Sequence, residues 1–249
     1  MRDRDFEALW SDATPGPPFR AAEVEGLPPA ARRYFTHAIA EGTPRASAVR
    51  LSMRGEIRLK DDWEPFEAEQ VIRAHRGFVW RATVRMKGIP VKGSDRFVDG
   101  RGAVRWKLLG IIPVARAEGP EIARSAAGRA QIEGVWLPSA LLEESLDWES
   151  VDATHAAARV RVGDHASRVE LSVDDAGRLR AASMLRWGTP GGVDAPQEQA
   201  PFGCVVEDEG TFDGVTIPTL LRVGWYFGTE RFEGEGVFFR CEVERAEFR

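Results

Sequence analysis

From Val49 onward the chain alternates. Val49, Leu51, Met53, Ile57 and Leu59 fall on one side of an extended backbone, with Gly55 the only gap. Arg50, Ser52, Arg54, Glu56, Arg58 and Lys60 fall on the other. A period of two that separates apolar from charged residues predicts a strand with one buried and one wet face. The pattern recurs at Phe66, Ala68, Ile72 and Ala74, with the polar Gln70 on the apolar side, and again at Phe78, Trp80, Ala82, Val84 and Met86. The wet faces carry arginines, then Glu67 and Glu69, then Arg81, Arg85 and Lys87. That order suits charge pairing across an antiparallel meander, and marks a solvated face.

The alternation predicts further strands at 91–98, 102–108 and 110–116, with DGRG (99–102) as a hairpin turn. After residue 146 it predicts strands at 146–152, 156–162, 167–174, 178–187, 203–212, 215–227 and 230–247. The turn-rich stretch 188–201 is the longest expected loop. Helical spacing appears in three places. Pro28 and Pro29 open a helix to about Glu41 that buries Ala31, Tyr34, Phe35, Ala38 and Ile39. Pro120 opens a second, over 120–133, with a narrow stripe of Ile122, Ala123, Ala126, Ala127 and Ala130, weakened by Gly128. A third, short helix is expected over 139–144 with Ser139 as its N-cap.

Few helices among many short-linked strands predict an α+β fold that is mostly antiparallel β. A sheet this large must curl, split or close. The expected architecture is one strongly curved sheet, an open or partial barrel, with the helices against its concave side. Residues 1–26 read as an N-terminal appendage: Asp5–Ser11 forms a short helix carrying Phe6, Leu9 and Trp10, and TPGPP (14–18) stops it. The helix either docks through Trp10, the favoured expectation, or leaves the segment a loose terminus. Residues 27–249 read as a single domain.

Several function classes find no support. The net charge of -5, with the arginines interleaved by acids, argues against a nucleic-acid-binding face. No run of about 18 apolar residues marks a transmembrane helix. The opening MRDRDFEALW lacks the apolar stretch of a signal peptide, so a cytoplasmic location is the default expectation. Cys204 and Cys241 lie in strand-like segments and read as small hydrophobes. His37, His75, His155 and His165 are scattered without metal-ligand spacing. His155 and His165 are placed to face each other across a hairpin, but loop and surface positions explain both more simply, and no metal site is expected. No G-x-S-x-G elbow occurs, and the glycine pairs at 100–102 and 234–236 lie in β territory rather than opening a helix, so no cofactor is implied.

Eight tryptophans are the remaining signal. Trp80 and Trp106 share the parity of apolar neighbours, and Trp136 leads out of the small-residue helix. Plain core packing accounts for such residues, and so does an aromatic-lined cavity inside a curved sheet. Gln70 and Glu133 are the polar residues placed to be buried and in need of partners. The candidate ligand-binding set is therefore Trp80, Trp106, Trp136, Gln70, Glu133 and Ala126, the last because small side chains leave room beside a sheet.

Six segments carry a resemblance: LPPAARRYFTHAIAEGTP (27–44), WEPFEAEQ (63–70), GFVWRA (77–82), EGVWLPSALL (133–142), LDWE (146–149) and GVTIPTLLRVGW (214–225). Together they resemble a bacterial family known by a domain-of-unknown-function label. The likeness spans Leu27 to the C-terminus and is most distinctive at Glu133, Trp136, Leu137, Pro138, Ser139 and Ala140. In strand order the family is similar to open-barrel lipoprotein carriers of the LolA and LppX type, in which a curved sheet plugged by helices holds acyl chains. The likeness implies a fold, not an export function. The leading expectation is a soluble protein that binds a hydrophobic or lipid-like small molecule. An enzyme using Glu133 or Asp95 as a general base, and an interaction module using an exposed sheet edge, are the alternatives.

Overall fold

A computed structural model describes residues 3–60, 62–143, 146–192 and 195–249. Among the described residues thirteen strands form one antiparallel sheet. The first six are β1 (Ala48–Leu59), β2 (Asp62–Arg73), β3 (Gly77–Met86), β4 (Ile89–Val98), β5 (Arg101–Leu108) and β6 (Ile112–Glu118). The other seven are β7 (Trp148–Ser150), β8 (His155–Val162), β9 (His165–Val173), β10 (Leu179–Gly188), β11 (Glu198–Phe212), β12 (Val215–Trp225) and β13 (Val237–Phe248). The α-helices of the described residues are α1 (Arg4–Ser11), α2 (Pro29–Ala38) and α3 (Pro120–Ile132).

The sheet order is β6-β5-β4-β3-β2-β1-β13-β12-β11-β10-β9-β8-β7. Two meanders thus meet where β1 pairs with β13, and α3 lies on the connection between the two outer edges. Curvature follows from what α3 touches, since it packs against β3 to β6 and also against β8, β9 and β10. Phe97 on β4 and His165 on β9 bring their rings to 6.2 Å. Eight strand spacings in a flat sheet would hold those strands about 38 Å apart. The sheet therefore curls around α3, and α2 fills the same concave core against β7, β8, β9 and β12.

The convex face has its own cover. Phe6 and Leu9 of α1 are fully buried against Val71 and Val79, residues of opposite parity to Gln70 and Trp80. The carboxylate of Asp3 caps α1 and receives the Arg96 guanidinium. Helix α1 is thus docked on the outer face of β1 to β3.

Several local expectations differ from the structure. Residues 138–141 form a 3-10 turn opened by Pro138, and the Ser139 hydroxyl donates to the Ala46 carbonyl at 2.5 Å instead of capping a helix. Residues 142 and 143 continue without helix, and 144 lies outside the described residues. The expected strand 230–247 begins only at Val237, because Phe232–Gly236 winds into a π-helical turn. The helix from Pro29 stops at Ala38, since Ile39 turns extended and bridges Val215. His155 and His165 sit at opposite ends of their hairpin, opposite Ser172 and Val162 respectively.

Candidate functional site

Between the concave face, α3 and the turn that follows it lies a cavity of about 180 Å³. Its apolar wall comes from Trp80, Ile132, Val135, Trp136, Phe202, Cys204 and Leu221. The half-buried Ile57, Val223, Phe238 and Phe239 border it at the end of β1, β12 and β13. Four charged residues, Asp95, Arg129, Glu133 and Arg186, complete the lining. An engineered apolar cavity of about 150 Å³ admits benzene, so this space suits a single ring or a short chain rather than a full lipid.

Each charged side chain arrives by strand parity or helical spacing. Asp95 follows Gly93 on the inward side of β4, and Gly93 lacks a Cβ where the Trp106 ring of β5 lies across it. The Trp106 indole N–H donates to Asp95 Oδ1 at 2.9 Å. Arg129 and Glu133 stand one helical turn apart, with Arg129 Nε donating to Glu133 Oε1 at 2.6 Å and Arg129 Nη1 at 3.6 Å from Asp95 Oδ2. The second Glu133 oxygen accepts from Gln70 Nε2 at 2.6 Å. Desolvation beneath α3 pushes the Asp95 carboxyl above its ordinary range, against the pull of Arg129 and the Trp106 hydrogen bond.

Arg186 is the exception. It extends the inward series Ala182, Met184 on β10 and is 9% exposed. Its Nε donates to the Ser125 carbonyl at 3.3 Å, and its guanidinium lies over the rings of Phe202 at 4.4 Å and Trp225 at 5.2 Å. Among the described residues no carboxylate approaches it within 4.0 Å. Burial, reinforced by the like charge of Arg129, lowers its pKa to about 10, and the more distant Glu133 and Asp95 only partly offset this. It remains a cation at neutral pH. A glycine makes room for it, since a Cβ at Gly128 of α3 would stand 3.0 Å from Arg186 Cγ.

The tryptophans and polar residues singled out in the sequence are distributed around this space. Trp80, Trp136 and Glu133 line it. Trp106 stands behind, 5.7 Å from the Trp80 ring, and Gln70 is fully buried beneath Glu133. Ala126 is half-buried on α3 and is not part of the lining. The Trp136 N–H is satisfied by the Pro218 carbonyl at 3.1 Å. The Gln70 amide oxygen and the Trp80 N–H, on directly opposed residues, are buried without partners among the described residues. Arg129 and Arg186 were the residues that sequence reasoning missed. The available signal was Arg186 on the parity of Met184, with the exposed Leu185 on the other side. Burial pushes the Cys204 thiol up to about 11, away from the thiolate form. Among the described residues no cluster of His, Cys, Asp or Glu has the geometry of a metal site.

A family model described as "Family of unknown function (DUF6544)" matches residues 17–234, most of the chain. The chain belongs to the DUF6544 family. In solved structures this DUF6544 chain is similar to a LolA superfamily protein from Nitrosomonas europaea, with 9% identity and a TM-score of 0.47 over 88% of this chain and 92% of that one. It is also similar to a DUF1329 family protein from Desulfovibrio piger, with 12% identity and a TM-score of 0.45 over 88% and 90%. A third likeness is to a putative outer membrane lipoprotein-sorting protein domain from Vibrio parahaemolyticus, with 7% identity and a TM-score of 0.44 over 82% and 86%. No curated protein matches the sequence.

Proposed function

We propose that this protein binds a small amphipathic acid, with its apolar body in the cavity and its anionic group at Arg186. The observation that carries the reading is a buried arginine, without a carboxylate partner, at the wall of an otherwise largely apolar space. Leaving a charge unpaired in such surroundings costs the fold, whereas a bound carboxylate or similar anion would neutralise it in low dielectric. The other three charged groups are mutually committed, since Arg129 is held by Glu133 and faces Asp95. The unsatisfied Gln70 and Trp80 atoms are in keeping with a site whose polar groups are not arranged for stability alone.

Native mass spectrometry of the purified full chain tests the reading. A copurified acid of modest size, released on denaturation, is the expected result. Protein free of any small molecule that also fails to take up medium-chain carboxylic acids would contradict it.

Asp95 favours a second reading, in which its raised carboxyl acts as a general base on the bound molecule. Mass spectrometry of an added ligand after incubation separates the two. Recovery unchanged supports binding alone, and conversion that stops in Asp95→Asn supports catalysis.

A further inference from the structure

Among the described residues, six of the nine exposed large hydrophobic residues sit on two neighbouring hairpin tips. Met86 and Ile89 flank the β3–β4 turn, while Leu109, Ile111, Ile112 and Val114 belong to the β5–β6 tip and the start of β6, and they are 39% to 77% exposed. The tips are in contact, because the Leu109 N–H donates to the Pro90 carbonyl at 3.0 Å. Asp99–Gly100 and Asp213–Gly214 supply the polar turns expected of tight hairpins elsewhere in this sheet. Here the equivalent positions are Lys87–Gly88 and Leu109–Gly110, and the leucine adopts a φ of 53° that bulky residues avoid.

The convex face behind the tips is basic. Lys92 and Lys107 stand directly opposite each other on β4 and β5, and Arg85 lies beside them opposite Pro90. None of these three makes an ion pair among the described residues. Arg105 and Arg116, also opposed, share Glu118. Like charges facing each other across strands are destabilising. They stand out in a chain of net charge -5. Apolar tips backed by unpaired cations are complementary to one kind of surface, an apolar interior beneath anionic headgroups.

We propose that the β3–β4 and β5–β6 tips dock this protein on an anionic lipid surface. A second copy of the chain fits less well, because a two-fold interface through this patch would bring the same lysines together. The edge strand β6 is also guarded against pairing by Pro113 and by the register shift at Trp106/Lys107. Strands β1, β3 and β5 run in the same direction. The cavity's half-buried border at Ile57 and Phe239 therefore lies at the same end of the sheet as the tips. The docking does not depend on what the cavity holds.

Co-sedimentation of the full chain with lipid vesicles tests the proposal. Binding is expected to vesicles of phosphatidylcholine mixed with phosphatidylglycerol, and much less to phosphatidylcholine alone. Each lysine contributes about fivefold, so Lys92→Gln with Lys107→Gln should weaken partitioning about 25-fold. Leu109→Ser with Ile111→Ser, both on an exposed turn, should leave the circular dichroism spectrum intact and abolish sedimentation. Absence of wild-type binding to the anionic vesicles overturns the proposal, as does equal binding to both vesicle types. A concentration-dependent dimer in analytical ultracentrifugation that the tip variants dissolve would overturn it in favour of self-association.

Discussion

Gln70 and Glu133, 63 residues apart in sequence, meet inside the curved sheet with the amide nitrogen 2.6 Å from the carboxylate. The same carboxylate holds Arg129 at the same distance through its other oxygen. One glutamate thus fixes α3 to β2 and orients a cation toward the cavity. Replacing Glu133 by Gln keeps the volume and removes the charge. It should cost about 1–3 kcal/mol in chemical denaturation, because Arg129 loses its closest partner. The size of this loss checks whether Glu133 is structural; a variant as stable as wild type would show that it is not.

Arg186 should behave in the opposite way. Its charge is buried without a carboxylate, and only the Ser125 carbonyl and two aromatic faces compensate it. Arg186→Met should therefore leave the protein as stable as wild type or stabilise it by about 1–4 kcal/mol, since a hydrophobic side chain of similar length replaces a poorly compensated ion. Affinity for a carboxylic acid should fall about 10-fold to 100-fold, the worth of a charge-assisted hydrogen bond. Thermal denaturation read beside calorimetric titration separates the two effects.

The outer helix is a third point of test. Phe6 is fully buried between α1 and the convex face, with the Arg81 guanidinium 3.8 Å from its ring centroid. Phe6→Ala should cost about 3–5 kcal/mol, most of it as loss of α1 docking. Acid should release the same helix. Burial tends to raise the Asp3 carboxyl, but the hydrogen bond and charge of Arg96 override it and hold the group below its ordinary value of 3.8. A depressed carboxyl stabilises the docked state above that value and loses the contribution as the pH falls through the lower, folded one. The fluorescence of Trp10, beside Arg249, should report the release in that window, and Asp3→Asn should remove the acid dependence.

The sheet was legible because period-two alternation is a direct record of two-sided burial. It placed the inward residues of β1 to β3, including Gln70 and Trp80. The curl was legible only as a necessity of strand number, since nothing local says that β4 and β9 meet. The site was half legible. Glu133 and Trp136 stood out by residue type, but Arg129 and Arg186 looked like the many arginines on wet faces. What distinguishes Arg186 is parity, and Gly128, read from sequence as a weak point in α3, is the gap that admits it. The third helix failed for a local reason: Pro138 and the chain's tight path past Ala46 leave Ser139 a partner other than a helix terminus.

Calorimetric titration of a medium-chain carboxylic acid into wild type and Leu221→Trp decides whether the cavity receives an amphipathic acid. Leu221 is 2% exposed and lines the cavity, so an indole there must occupy the free space or strain its walls. Saturable binding to the wild-type protein is expected, with weaker binding of the matching alcohol and none to a folded Leu221→Trp variant. Equal affinity of both proteins, or no binding of the acid to either, would contradict it.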